Sequence, residues 1–431
     1  MSTVTETPSA GGLSAPIVLE TARIRNWKPP IALGFFTLAA LVMFVVFARP
    51  GFTTFRLSTD SDFFQLPQVE ANVALTGLIV TIVLALIAAF SAVQAWRVER
   101  TPLWLIGLFA GLFVVAFLAW AAAGGLIPVP GLLVGALGLS VPLIFGALGG
   151  VISERVGVVN VAIEGQLLAG AFAAALIASL TGSPIVGLIG AMVAGVLVSF
   201  VLAAFSIKYL VDQVIVGVVL NVLVVGLTSF FYSTLLSPNA ATLNTPPQFD
   251  RIEIPLLSQI PILGPVLFRQ TLIVYLMYIA VFLVWFGLFK TKWGLRLRSV
   301  GEHPQAADTV GINVNRTRFW NVSLAGAVAG LGGAFYTLDA VGAFNKEMTA
   351  GYGFIALAAV IFGRWDPIRA TLAALLFGFA TNLQSVLGII GSPVPSEFML
   401  MLPYVVTIFA VAGLVGFARG PAASGKPYIK S

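Results

Sequence analysis

Long apolar stretches recur along the whole chain and are separated by short polar or basic segments. Most of them reach about 18 residues or more, which is enough for a helix to cross the ~30 Å hydrocarbon core of a bilayer. Strands of a membrane barrel would alternate over segments of about 10 residues, whereas these stretches are continuously apolar. Because backbone groups in lipid must pair internally, the pattern predicts an all-α polytopic membrane protein.

Two of the expected spans differ from the rest. Gly351–Phe362 is short for a full crossing, and Asn160–Leu180 opens with polar residues. We therefore expect roughly ten to twelve membrane helices, some of them broken or re-entrant. The remaining spans are placed at Ile31–Ala48, Asn72–Trp96, Leu103–Ala123, Leu132–Ile152, Ile185–Phe205, Val214–Leu236, Leu272–Phe289, Phe319–Val341, Ile368–Ile390 and Phe398–Phe417.

The composition supports a lipid-facing surface. Hydrophobic residues make up 59% of the 431 residues and charged residues 9%, against about 25% charged residues in a soluble domain. The chain has no cysteine and a single histidine, His303. This excludes disulfides, thiolate metal sites and cysteine nucleophiles, and we expect neither a metal nor a cofactor.

The basic residues predict the orientation. With the N-terminus in the cytoplasm and one crossing per span, about 18 of the 23 lysines and arginines fall on the inner side, as the positive-inside rule requires. Both termini are therefore expected to be cytoplasmic. The five exceptions are Arg49, Arg56, Arg251, Arg269 and Lys346.

Two loops are long enough to hold structure of their own. Ser237–Gln270 is rich in proline and falls on the outer side. Lys290–Arg318 falls on the inner side and is the most charged segment of the chain. Within it, Pro304–Val310 predicts a short helix, because proline suits a first turn and alanine favours helix. Gly311 is placed to end that helix.

Little in the chain suggests catalysis. The run from Gly420 to Lys426 has the glycine and lysine spacing of a phosphate-binding loop, but Pro427 stands where Ser or Thr would hold magnesium. We treat this match as chance. The sequence therefore offers no visible means of hydrolysing ATP.

Polar residues inside apolar stretches are the candidates for a solute pathway. Ionisable and amide side chains in a membrane usually face a bundle interior or an aqueous path. They equally serve as glue between helices, and Asn160 with Glu164 can hold a broken helix in place; the pattern leaves both roles open. The candidates are Asn160, Glu164, Gln166, Asn221 and Asn382.

Four stretches resemble a known family of membrane proteins. GVVNVAIEGQLLAG at 157–170 is similar to the signature of ABC-type permeases for nucleosides and simple sugars. WGLRLRSVGEHPQAADTVGI at 293–312 resembles the cytoplasmic coupling segment of the same group. SLAGAVAGLGGA at 323–334 and GYGFIALAAVIFG at 351–363 also fit, in the same order. The resemblance is to the branched-chain amino acid/ribose-like permease superfamily. It is closest to nucleoside importers of the basic-membrane-protein type.

The resemblance implies the partners and the organisation of the chain. Such an importer has two permease subunits, a cytosolic ABC ATPase and an extracytoplasmic solute-binding lipoprotein. Residues 1–30 are then a disordered cytosolic tail, 31–130 accessory membrane helices, 131–418 the permease core with coupling loop 290–318, and 419–431 a cytosolic tail. The residues expected to dock on the ATPase are Gly301, Glu302, Pro304, Ala306, Ala307, Asp308 and Gly311.

The expected function is therefore that of a multi-pass permease subunit in the inner (cytoplasmic) cell membrane, importing nucleosides with energy from a separate ATPase. A permease for simple sugars remains the main alternative. A self-sufficient secondary transporter would want more intramembrane ionisable residues than this chain has. A membrane enzyme would want carboxylate or histidine clusters in its loops, and the Ser237–Gln270 loop has only Asp250 and Glu253.

Overall fold

The structure, a computed structural model, describes residues 26–99, 101–391, 398, 401 and 420–430. Within these residues, ten helices are long and apolar enough to cross a membrane, which confirms the predicted all-α polytopic class. Most of the predicted span Phe398–Phe417 and most of the N-terminal tail lie outside the described residues.

Fourteen α-helices are present in the described part of the chain. Short π-helical turns extend α1, α6, α7 and α12 at their C-terminal ends, to Val46, Lys208, Leu236 and Ala340. The helices are α1 Lys28–Ala40, α2 Val73–Trp96, α3 Leu103–Ala121, α4 Val129–Arg155, α5 Ile163–Thr181, α6 Pro184–Ala203, α7 Gln213–Phe231, α8 Ala240–Leu243, α9 Leu272–Lys290, α10 Lys292–Glu302, α11 Pro304–Thr309, α12 Val314–Phe335, α13 Tyr352–Phe362 and α14 Pro367–Ile390.

Helix α12 lies at the centre of the largest core and packs against α4, α5 and α6. Its small residues allow this. A methyl group added at Gly330 or Gly326 would overlap the backbone of α6, and one added at Gly333 would overlap the backbone of α5. Close backbone approach through small residues is how membrane helices pack in the absence of a hydrophobic driving force. The glycine-rich stretch of α12 is therefore a packing surface.

Helix α13 is the predicted short element. It has 11 residues, so it is about 16 Å long at 1.5 Å per residue, roughly half the hydrocarbon thickness. It begins at a left-handed glycine, Gly351, with φ of 85°. The chain between α12 and α14 therefore crosses as a half-length helix preceded by an irregular segment.

The first three helices form a cluster of their own. Phe44, Leu84 and Phe109 are buried among them. A smaller cluster joins α3 to the main bundle, where Ile127 and Leu387 are buried together. The N-terminal helices thus contact the rest of the chain mainly along α3, the segment Leu126–Pro128 and the ends of α4 and α14.

Five short strands lie in the loops between spans. They form a three-stranded sheet in the order β2-β1-β3, with β1 antiparallel to β2 and parallel to β3, and an antiparallel pair β4-β5. Arg269 Nη1 donates to Ser61 Oγ at 2.7 Å, which ties the two loop regions together. The strands are β1 Phe52–Arg56, β2 Val69–Asn72, β3 Leu126–Pro128, β4 Arg251–Glu253 and β5 Arg269–Thr271.

Candidate functional site

An irregular segment separates α4 from α5 and carries Asn160, one of the five candidate residues. It covers residues 156–162. Gly157 has a φ of 92°, a conformation that favours glycine. Ser153 Oγ donates to the Val158 carbonyl at 2.8 Å. The chain therefore leaves α4 here, and a new helix, α5, begins at Ile163 and runs unbroken to Thr181. The break expected in the span Asn160–Leu180 is thus wrong for α5 itself, because the polar start of that stretch lies in the α4–α5 interruption, residues 156–162.

Two side chains of α7 satisfy the backbone of this segment. Gln213 Oε1 accepts from the Val159 N–H at 2.7 Å. Asn221 Nδ2 donates to the Val161 carbonyl at 2.9 Å, and its Oδ1 accepts from the Gly165 N–H at 2.8 Å. Buried backbone groups outside a helix must find such partners. The amides of α7 thus hold the interruption between α4 and α5.

Asn160 and Gln166 pair with each other in the interior. Asn160 Nδ2 donates to Gln166 Oε1 at 3.0 Å, and Gln166 Nε2 donates back to Asn160 Oδ1 at 3.2 Å. Gln166 Nε2 also donates to Ser199 Oγ of α6 at 2.9 Å. All three residues are fully buried. In this conformation their hydrogen bonds are made within the chain.

Glu164 binds the N-terminus of the half-length helix α13. Its Oε1 accepts from Thr349 Oγ1 at 2.6 Å and from the Gly351 N–H at 2.9 Å, and its Oε2 accepts from the Gly353 N–H at 2.6 Å. A carboxylate suits the positive end of a helix dipole. A methyl group at Gly353 would overlap the backbone of Glu164. One side chain of α5 therefore supplies the cap for α13.

Asn382 lies apart from the other candidates. Its Nδ2 donates to the Leu132 carbonyl at 2.7 Å, joining α14 to α4. Like the other four candidates it is at least nine-tenths buried. The hydrogen bonds of the five candidates hold segments of the chain together. Contact between these residues and a solute stays a prediction. Sequence reasoning missed Ser199 and Thr349, which carry no signal of their own outside this arrangement.

The loop Lys290–Arg318 contains two helices. The predicted helix at Pro304–Val310 is confirmed as α11, and Gly311 follows it with a φ of 83°. The segment before it, for which no helix was predicted, forms a separate helix, α10. Thr291 Oγ1 accepts from the Gly294 N–H at 3.3 Å and caps its start. Glycine at 294 and 301 weakens the local helix signal there.

The seven predicted coupling residues face in different directions. Gly301, Pro304 and Ala307 are buried against the chain itself. A methyl group at Gly301 would overlap the carbonyl of Arg155 at the end of α4. The rest of the set comprises the exposed residues Glu302, Ala306 and Gly311 and the half-buried Asp308.

The C-terminal segment 420–430 lies across these two helices. The Ala423 N–H donates to the Gly301 carbonyl at 2.9 Å, and the Ala422 N–H donates to Glu302 Oε2 at 3.2 Å. Tyr428 is buried and lies close to the Asp308 side chain. Burial, together with this contact, raises the pKa of Tyr428 above its ordinary value, so its hydroxyl is neutral at pH 7. The segment thus forms a strap over α10 and α11.

Arg318 anchors the strap from the membrane side. It is 2% exposed, and its Nη1 donates to the Lys426 carbonyl at 3.0 Å. A methyl group at Gly157 would lie 2.8 Å from Nη2 of this arginine. Arg318 therefore touches the strap and the α4–α5 interruption together. The stretch Gly420–Lys426, with its chance phosphate-loop spacing, contains a turn over residues 422–425 of this strap.

The arrangement defines a helical membrane bundle with a hydrogen-bonded α4–α5 interruption, a half-length helix and a paired-helix loop at one end. Among the described residues, no group of three or more His, Cys, Asp or Glu side chains is placed to hold a metal ion. The family description "branched-chain amino acid transport system / permease component" matches residues 132–411. The chain belongs to this family.

Several curated proteins resemble the chain over its permease portion. The guanosine ABC transporter permease protein NupQ of Bacillus subtilis is 45% identical over 302 residues, covering 67% of this chain and 93% of the relative. The nucleoside ABC transporter permease protein NupC of Lactococcus lactis subsp. cremoris is 42% identical over 301 residues, covering 68% and 94%. A Haloferax volcanii protein, provisionally named as the glucose ABC transporter permease protein TsgC13, is 35% identical over 246 residues, covering 56% and 73%. No solved structure matches the chain.

These matches establish the class. The protein is the membrane permease component of an ABC transporter and not an enzyme, since ATP hydrolysis in this family belongs to a separate partner. Membership of this class implies two kinds of partner protein, an ATPase and a solute-binding protein. The family match begins at residue 132, so α1 to α3 lie before it.

Proposed function

We propose that this protein is the nucleoside-translocating permease of an ATP-driven importer in the cytoplasmic membrane. The observation that carries the proposal is the 45% identity to NupQ over 302 residues, together with the 42% identity to NupC. Both relatives are named for nucleoside or guanosine transport. The α4–α5 interruption, the capped half-length helix α13 and the helices α10 and α11 all lie within the stretch that the family match covers.

The coupling loop is proposed to face the cytoplasm and to dock on the ATPase through α11. With Gly301, Pro304 and Ala307 buried, the available contact surface narrows to Glu302, Ala306, Asp308 and Gly311. A second permease subunit and an extracytoplasmic lipoprotein complete the proposed importer. Both termini are then cytoplasmic, in accord with the contact between the C-terminal segment and α10.

The proposed transmission path runs from α11 to the interruption in the membrane. Helix α10 contacts the end of α4 at Gly301, and Arg318 touches Gly157 at the start of the interruption. A displacement of α11 by a closing ATPase would therefore reach the segment that Asn221 and Gln213 hold. The solute is proposed to contact five residues and to replace the hydrogen bonds that they make within the chain. These residues are Asn160, Glu164, Gln166, Asn221 and Asn382.

Uptake by cells tests the solute. In a strain deleted for the gene, the restored protein is expected to support uptake of labelled guanosine and not of labelled glucose. Glucose uptake without guanosine uptake would favour the second candidate, a sugar permease, for which the 35% identity to TsgC13 is the specific observation. Uptake by liposomes containing this chain alone and an ion gradient would contradict both.

Substitution in α11 tests the docking. Ala306→Asp places a charge on the exposed side of the helix and is expected to reduce uptake at least tenfold while the protein stays in the membrane. Ala306→Ser is the matched control and is expected to retain uptake. Ala307 is unsuitable for this test because it is 2% exposed, so a carboxylate there would disturb the packing of the chain itself. Unchanged uptake and ATPase copurification with Ala306→Asp would contradict docking through α11.

A further inference from the structure

A cleft of about 390 Å³ lies between α10 and α12. Trp293 and Arg296 line it from α10, and Arg316, Trp320 and Leu324 line it from α12. Helix α9 ends at Lys290 and α10 begins at Lys292, so the α10 side lies within a turn of the end of one span. The α12 side lies in the first turns of the span Val314–Ala340. The cleft therefore sits at the boundary between membrane and water.

The arginines at this edge fall into two kinds. Arg298 lies 5.2 Å from the centre of the Phe289 ring, and Arg318 donates to the C-terminal strap. The side chains of Arg296 and Arg316, by contrast, have no hydrogen-bond or ion-pair partner within the part of the chain that the structure describes. These two exposed cations are the ones that line the cleft, and none of the described residues that line it with them is acidic.

The walls of the cleft are held in place by packing. The Trp293 ring lies against Gly287 of α9, where an added methyl group would be 2.8 Å from the ring. The Trp320 ring meets Phe319 edge to face with 5.7 Å between centroids, and Phe319 stacks on Phe200 of α6. Tryptophan is the side chain that membrane interfaces favour. The cleft thus combines fixed aromatic walls with two unpaired cations.

We propose that this cleft binds one anionic phospholipid. The phosphate lies between Arg296 and Arg316, whose planar guanidinium groups suit bidentate contact with phosphate. The acyl chain runs along Trp320 and Leu324 toward the hydrocarbon. The proposal is independent of the nucleoside and ATPase assignments, since it rests on α10 and α12 alone. Its consequence is a lipid that fixes the angle between the coupling loop and the bundle.

Native mass spectrometry of the purified full chain with added phosphatidylglycerol tests the proposal. Arg296→Gln combined with Arg316→Gln is expected to reduce the retained lipid at least tenfold, because both guanidinium groups that would hold the phosphate in bidentate contact are removed. Lys290→Gln combined with Lys292→Gln removes the same charge beside the cleft and is the matched control. It is expected to leave retention within about twofold. Equal losses in the two double variants would overturn the proposal.

Two further arms separate the possible sources of the phosphate. Trp320→Ala keeps both arginines and is expected to weaken phosphatidylglycerol retention severalfold, and it decides the matter if the arginine variant unfolds. Retention of lipid unchanged by Trp320→Ala would overturn the acyl-chain placement. Displacement of the lipid by inorganic phosphate would assign the site to a free anion and would also overturn the proposal. Preference for phosphatidylglycerol over phosphatidylethanolamine supports it.

Discussion

Glu164 shows how one residue of an apolar stretch can organise several elements. Its two carboxylate oxygens accept from Thr349, Gly351 and Gly353, which lie nearly 190 residues further along the chain. In lipid, the N–H groups at the start of α13 have no water to bind. Removing this one buried acceptor would leave three donors unpaired, so its loss is expected to cost more stability than the loss of a single hydrogen bond.

Glu164→Gln tests this role. The amide nitrogen of glutamine cannot accept a hydrogen bond, so one of the donors near α13 loses its partner, and the free energy of unfolding is expected to fall by about 1–3 kcal/mol. Thermal unfolding of the purified protein in detergent measures this. Glu347→Gln, at an exposed position in the neighbouring loop, serves as the control and is expected to leave the Tm unchanged. Equal Tm values for both variants would contradict the capping role.

Gly353→Ala probes the same contact from the other side. Its methyl group would overlap the backbone of Glu164, and overpacking of this kind costs about 1–3 kcal/mol. Gly226→Ala in α7 has nothing within 4 Å of the added methyl group, and alanine favours helix by about 1 kcal/mol over glycine. The expected order of Tm is therefore Gly226→Ala at or above the natural chain, with Gly353→Ala below it.

At the scale of elements, the strap 420–430 and the helices α10 and α11 form one unit. Backbone N–H groups of the strap donate to the Gly301 carbonyl and to the Glu302 carboxylate. It also covers Arg318, whose charge is buried beside Gly157. The position of α11 therefore depends on residues more than 100 positions away in sequence. Gly301 of this unit lies against Arg155, and Arg318 lies against Gly157, so both contacts are made where α4 ends and the α4–α5 interruption begins.

Removal of the strap is expected to loosen α10 and α11. A chain ending at residue 419 loses the backbone contacts to Gly301 and Glu302 and the partner of Arg318, so amide hydrogen exchange across residues 292–309 is expected to accelerate at least tenfold. A chain ending at Tyr428 keeps every one of these contacts and is the matched control. Equal exchange in the two truncated chains would show that the strap does not stabilise the helices.

At the scale of the whole molecule, the N-terminal helices and the family-matched bundle meet along a narrow seam. Leu132, Leu383 and Leu387 pack there against Ile127 and Leu118. The contacts of Glu164, Asn160 and the coupling helices are made within residues 129–430 and do not involve α1 to α3. The first three helices are thus attached to the bundle without entering its polar network.

A chain beginning at Val129 tests this arrangement. Loss of the seam exposes the leucines at its edge, and a Tm lower by several degrees is expected. Nucleoside uptake is expected to persist, because the interruption and the coupling unit remain complete. Uptake by the shortened and full-length proteins at matched membrane levels measures the effect. A well-inserted shortened chain without uptake would assign the N-terminal helices a direct part in transport.

The sequence by itself determined the helical membrane class, the short α13 and the helix at Pro304–Val310, because apolar length, glycine and proline act within a few residues of where they stand. It also marked Asn160, Glu164 and Asn221 as unusual, because polar groups are costly in lipid wherever they occur. Only the tertiary structure decided what Glu164 and Asn221 do, since the partners of Glu164 lie at 349–353 and those of Asn221 lie at Val161 and Gly165. The same holds for α10, whose glycines weaken a local helix signal while packing against Arg155 stabilises it. Contacts between distant segments carry no pattern in a single sequence, so the strap over the coupling helices became visible only once the chain was folded.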